Sequence, residues 1–248
     1  LQDGLLGCRH CLEPLSIFST DLDTVPTVGQ IHELPSVKDS CAPRLSRTDT
    51  LAIIAARRAW ENAGLEKSDA AHCGVIVATS VGGICELRPE IAGDPRAYFR
   101  KHGIPVEFPR GYAADAVGAC LGSGGPRMGI STACASGSMT LAVAARMIRQ
   151  GSASIMIAGG SEALCWFTLS GFNSLQTLDP EPCRPFDQGR KGLNLGEGAA
   201  MLVLSVLFWT GVIAIARESR SIIGIALLLA GLIDLGLGVK FLQSAGSE

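Results

Sequence analysis

Residues 128–158 constrain the fold more than any other stretch. An apolar run over 128–132 leads into a small-residue helical pattern over 135–150, and a second apolar run follows over 155–158. Arg146 and Arg149 fall in the last turn of the predicted helix, and Gly151 stops it. The second run, Ile155-Met156-Ile157-Ala158, has no polar alternation and ends at Gly159-Gly160, the pattern of a strand buried on both faces. Strand, helix and strand in that order form a βαβ unit, which requires parallel pairing and hence an α/β sheet.

The flanking segments fit such a sheet. A helix is predicted from Thr48, capped by Thr48 or Asp49, with Leu51, Ala52, Ala55, Ala56, Ala59, Trp60 and Ala63 at helical spacing and Gly64 as its end. Residues 73–79 read as a buried strand closed by Gly82-Gly83, residues 111–121 as a small-residue helix, and residues 199–204 as a further strand. Residues 1–47 are broken by Pro14, Pro26, Pro35 and Pro43 and read as loops with short pieces of structure. The 30 glycines and the 5% aromatic content of this 248-residue chain suit close-packed layers.

Charge and cysteine usage narrow the function. A formal net charge of −2 provides no global basic field for nucleic acid, so an acidic partner would need a local basic patch. The nine cysteines are an odd, scattered set, which suits reduced thiols in the cytoplasm better than a disulfide scaffold. Cys8-Arg9-His10-Cys11 has zinc-knuckle spacing, but no second Cys-x-x-Cys completes it; His10, His32 or Cys41 would have to serve. Gly122-Ser123-Gly124-Gly125 lacks the Lys-Ser/Thr ending of a phosphate loop. No metal and no cofactor are therefore expected. The N-terminus carries no secretory pattern and no Met, and is read as a cut or incomplete end.

Cys134 falls where the first strand of the βαβ unit gives way to its helix. Free N–H groups and the helix dipole favour a thiolate there, and Ala133, Ala135, Ser136 and Gly137 leave room for a bulky group to approach. The competing reading makes it one more small buried hydrophobe. The surrounding residues, Ser131-Thr132-Ala133-Cys134-Ala135-Ser136-Gly137, resemble the active-site signature of the β-ketoacyl synthases of the thiolase-like superfamily. Ile157-Ala158-Gly159-Gly160-Ser161-Glu162-Ala163 resembles that family's Gly-Gly-x-Glu-Ala turn. Cys183-Arg184-Pro185-Phe186-Asp187, Arg190, Gly192 and Gly196-Glu197-Gly198-Ala199-Ala200 resemble its Arg-Pro-Phe-Asp and Gly-Glu-Gly run. Upstream, Phe108-Pro109-Arg110 through Gly118, and Gly124-Gly125-Pro126, also fit.

The resemblance implies half of a thiolase-like layered α-β-α-β-α sandwich over residues 1–204, with the first strand missing before Leu1. It implies an acyltransferase that takes an acyl group from acyl carrier protein onto Cys134, whose backbone N–H is one oxyanion donor. Decarboxylative condensation with a malonyl-carrier thioester follows, in fatty acid or polyketide synthesis. Glu162, Asp187, Arg190 and Glu197 are expected to hold the fold as a buried charge set rather than to do chemistry. The implied partners are the carrier protein, the acyl and malonyl thioesters, and a second subunit, identical or related, paired through the strand before Cys134. The family's two catalytic histidines lie in its second half, whereas His10, His32, His72 and His102 all precede Cys134. The chain alone is thus expected to be incomplete. The alternative function is a non-catalytic or membrane-tethered synthase remnant that binds acyl chains or a complete subunit.

Residues 205–248 form an apolar C-terminal tail. Residues 199–216 carry no charge, and residues 221–239 are apolar but for Asp234. Each stretch approaches the ~20 residues of a membrane span, and Arg217 and Arg220 would set their turn on the cytoplasmic side. If residues 199–204 are a core strand, the first stretch is too short to cross. A transmembrane hairpin and an aberrant end both remain open, so cytoplasmic placement carries the alternative of membrane association through the tail.

Overall fold

The computed structural model describes residues 11–20, 22–37, 45–83 and 112–205. Its centre is a four-stranded mixed sheet of β3 (Cys73–Ala78), β4 (Arg127–Ile130), β5 (Ile155–Glu162) and β6 (Gly198–Ser205), in the order β4-β3-β5-β6. β3 pairs in parallel with β4 and with β5, while β6 runs antiparallel to β5 from Ile155↔Ser205 to Glu162↔Gly198. A separate antiparallel pair, β1 (Leu12–Pro14) and β2 (Thr27–Gly29), precedes the sheet.

Alternating side chains divide the sheet between two helix layers. Cys73, Val75 and Val77 of β3 and Ile157 of β5 face α1 (Arg47–Asn62) and α2 (Tyr112–Leu121), where they meet Ala52, Ile53, Ala56 and Val117. Ile76, Met156 and Ala158 point the other way, onto Ala144 and Ile148 of α3 (Ser136–Arg149). Each such aliphatic side chain removed from water contributes roughly 1.5–3 kcal/mol, so both layers are held by burial. A satellite cluster of Leu15, Val28, Leu164 and Leu169 packs the β1–β2 pair against α4 (Trp166–Ser174), a helix that has no sequence expectation. The α/β expectation and the strand–helix–strand unit are met by these elements.

Two local expectations are corrected. The cap of α1 is Ser46 rather than Thr48 or Asp49: its hydroxyl accepts from the Asp49 N–H, and Asp49 Oδ2 accepts from the Ser46 N–H at 2.9 Å. Thr48 is buried instead and donates its hydroxyl to the Gly82 carbonyl at 2.9 Å. β5 does not stop at Gly159-Gly160 but runs on to Glu162, because β6 pairs along its whole length. A Cβ on Gly159 would stand 2.8 Å from Met201 Cα and 2.9 Å from Ala200 C, so this glycine permits close strand approach rather than a turn. The strand expected over 199–204 is β6, so what remains of the first uncharged stretch is too short to cross a membrane. Among the described residues no helix is long and apolar enough to cross a membrane. The rest of the tail, residues 206–248, lies outside the described residues.

Candidate active site

Parallel α/β sheets place their sites at the carboxyl ends of the strands, where loops converge and helix N-termini face the cleft. Here β3, β4 and β5 end at the same side of the sheet, and antiparallel β6 starts there. A cavity of about 500 Å³ opens at that end, with Thr79, Ser80, Cys134, Ser136, Ser161 and Glu162 in its lining. Cys134 is exposed, two residues before the first turn of α3. The reading of Cys134 as a small buried hydrophobe is thereby excluded.

The turn that presents Cys134 has an unusual backbone. Ala133 has a φ of +51°, in the left-handed region that costs a residue with a Cβ roughly 1–2 kcal/mol. The Ser136 hydroxyl, 5% exposed, accepts from the Thr132 N–H at 2.7 Å and donates to the Ala133 carbonyl at 2.6 Å. Ser131 extends the connection to the opposite wall by donating to the Ser80 carbonyl at 3.4 Å.

The four charged residues singled out in the sequence do not form one set. Glu162 ends β5 at the cavity, where it accepts from the Thr79 hydroxyl at 3.2 Å and from the Ser80 N–H. Glu197 has a fully buried carboxylate that accepts from Arg47 Nε at 2.8 Å, from an Arg47 terminal nitrogen at 2.6 Å, from the Ile31 N–H at 2.8 Å and from the Leu164 N–H at 3.2 Å. Burial pushes this carboxyl up, but the Arg47 and backbone hydrogen bonds and the Arg47 charge outweigh it and hold it below the usual carboxylate range. Asp187 and Arg190 are exposed, which corrects the expectation of a buried charge set for these two. They close a local turn in which the Gly189 N–H donates to Asp187 Oδ1 at 2.6 Å and Arg190 donates to the Asp187 carbonyl at 3.0 Å.

Among the described residues no histidine lines the cavity. His32 pairs with Glu13 at 2.6 Å beside the β1–β2 pair. The Gln30 amide and the His32 ring hold that carboxyl below its usual range. His72 precedes β3, a strand length of roughly 17 Å from the cavity end of that strand. His10 and His102, with Cys8 and Cys41 of the zinc-knuckle reading, lie outside the described residues. Among the described residues no three metal-binding side chains cluster.

Thiol accessibility separates Cys134 from its neighbours. Cys73 and Cys165 are buried, and burial pushes the Cys73 thiol up to about 11. At pH 8 only about one Cys73 in a thousand would carry the reactive thiolate, even before access is considered. Limited iodoacetamide treatment of the folded chain is expected to modify Cys134 ahead of Cys73, Cys120 and Cys165, with the equally exposed Cys11 as a reference, read by peptide mass analysis. Modification of Cys73 or Cys120 ahead of Cys134 would contradict the assignment.

A helix-covered mixed sheet that presents a cysteine on the turn between a parallel strand and its helix is the arrangement expected of the thiolase-like class. The model of the β-ketoacyl synthase N-terminal domain matches residues 29–207. The chain belongs to the β-ketoacyl synthase family. It is 39% identical over 200 residues to nodulation protein E of Rhizobium leguminosarum bv. trifolii, across 76% of this chain and 49% of that protein. It is 33% identical over 229 residues to the chloroplastic 3-oxoacyl-[acyl-carrier-protein] synthase I of Hordeum vulgare, across 83% of this chain and 48% of the relative. Among solved structures, a ketosynthase (ApeO) in complex with its chain length factor (ApeC) from Xenorhabdus doucetiae superimposes with a TM-score of 0.65 at 27% identity, over 82% of this chain and 52% of that one. The chain spans about half the length of the curated relatives it matches.

Proposed function

We propose that this chain is the acyl-accepting half of a condensing enzyme of fatty acid or polyketide synthesis. The observation that carries the reading is the exposed Cys134 on the strand–helix turn, opening into the cavity at the strand ends. Its thiolate attacks the carbonyl of an acyl-carrier thioester, the oxyanion is met by the Cys134 N–H, and collapse breaks the carrier C–S bond. The carrier thiol departs with a proton and the acyl group stays on Cys134. In the second stage a malonyl-carrier thioester loses CO2, its carbanion attacks the acyl-Cys134 carbonyl, and the Cys134 thiolate leaves as the 3-oxoacyl product forms.

Carrier protein and a second subunit are the proposed partners. β4 is an edge strand with Arg127, Met128 and Gly129 exposed, which supports pairing through the strand before Cys134. An unpaired edge offers backbone N–H and C=O groups to another strand. The rival reading is a non-catalytic or membrane-tethered remnant that binds acyl chains or a complete subunit.

Incubation with an acyl-pantetheine thioester, followed by mass analysis, separates the two. The proposal expects a stoichiometric acyl adduct on Cys134 that disappears in Cys134→Ala. Reversible binding that Cys134→Ala leaves intact, with no adduct, would support the remnant instead.

A further inference from the structure

We propose that Ser136 is a positioning residue for Cys134, acting as a hydroxyl staple that holds the turn in the conformation acyl transfer needs. The inference rests on the reading of Cys134 as the acyl acceptor, and it assigns a function to a residue that the sequence marks only as small.

Ser136 lies in the first turn of α3 yet is nearly excluded from solvent, at 5% exposure. Its single hydroxyl bridges the turn in both of its hydrogen-bonding capacities. It accepts from the Thr132 N–H at 2.7 Å and donates to the Ala133 carbonyl at 2.6 Å. Those two groups flank the one bond pair in the turn that is held uphill, the φ of +51° at Ala133. A left-handed alanine persists only where its surroundings over-determine it. The Ser136 N–H also donates to the Ala133 carbonyl, at 3.1 Å, and the Ala135 N–H reaches the Thr132 carbonyl at 3.3 Å, so removal of the hydroxyl leaves a looser turn rather than no turn.

The consequence for chemistry lies in the next residue. The Cys134 N–H follows the Ala133 carbonyl across one peptide plane, so the Ala133 torsions set how that N–H and the Cys134 sulfur are together aimed into the cavity. Attack on a thioester needs sulfur and oxyanion donor aimed at one bound carbonyl, whereas alkylation by iodoacetamide needs only the thiolate. Loss of the staple therefore affects the two reactions unequally.

The test uses the full chain and acyl-pantetheine. Ser136→Ala is expected to slow acylation of Cys134 about 10- to 100-fold while its alkylation by iodoacetamide changes little. Buried Cys73 should stay protected, which reports an intact sheet. Adding Ala133→Gly to Ser136→Ala is expected to restore most of the acylation rate, because glycine takes the left-handed torsion without help. A parallel fall of acylation and alkylation, an unchanged acylation rate, or a double variant no faster than Ser136→Ala overturns the proposal. Should the wild-type chain take no acyl group at all, the acceptor reading fails, and the staple is then read from hydrogen exchange. Slow exchange of the Thr132 amide in the wild type, made fast by Ser136→Ala, supports it, and equal exchange removes it.

Discussion

Glu197→Ala is expected to lower the unfolding free energy by about 3–5 kcal/mol, the range for stripping one partner from a buried ion pair. The carboxylate is fully buried and accepts from Arg47, Ile31 and Leu164, so it joins the N-terminus of α1 and the segment after β2 to the segment before α4. Its removal takes the Glu197 charge away from the Arg47 guanidinium, 26% exposed, and strips the Ile31 and Leu164 N–H groups of their acceptor. Urea unfolding measures the change; a loss below about 1 kcal/mol would show that water replaces the carboxylate freely. The pH dependence carries a definite sign. Because the folded carboxyl titrates below its usual range, its contribution is complete above the unfolded value of about 4.3 and fades as pH falls through the folded value. The wild type should therefore lose stability toward acid more steeply than Glu197→Ala does.

The second large effect is expected in turnover. Presented with malonyl thioester after acylation, this 248-residue chain should release CO2 and form 3-oxoacyl product far more slowly than a condensing enzyme with imidazoles at the nucleophile. A single positioned proton-transfer group typically contributes ~10²–10⁴-fold, and the cavity beside Cys134 offers no imidazole from its lining residues. Labelled CO2 release over a blank with Cys134→Ala measures it. A rate matching a two-half synthase would mean that His10 or His102 reaches the acyl group, and double substitution of those two should then abolish it.

The legible parts of the fold were those whose signal is local. The apolar runs at 73–79 and 155–158 and the helical spacing over 51–63 carry their own periodicity, so strand and helix follow from a dozen residues at a time. The strand–helix turn that carries Cys134 was legible for the same reason, since a strand, a run of small residues and a helix lie in one contiguous stretch. What escaped depended on distance. The partner of Glu197 lies 150 residues away at Arg47, and nothing near either residue announces the pair. Gly159 reads as punctuation until β6 is laid beside it. Asp187 and Arg190, by contrast, satisfy each other within a few residues and gain little from burial, so their motif spacing suggested a core role that the turn does not need. Ser136 reads as mere space for an acyl group, because a hydroxyl staple appears only once the positive φ of Ala133 is known.

β6 is the last described element in the chain, and it has a temporal consequence. It pairs with β5 from end to end, and its first residues, Gly198, Ala199 and Ala200, form one wall of the cavity. During synthesis Cys134 leaves the ribosome well before that wall does. At ~5–20 residues per second, translation of the intervening stretch takes several seconds, during which β5 has an open edge and the cavity lacks that wall. A nascent chain in that interval presents an unpaired apolar strand and an unshielded thiol together, which is where chaperone capture and adventitious oxidation would act. A translational pause after β6 has cleared the ribosome would prolong nothing harmful, whereas a pause before then would lengthen the vulnerable state.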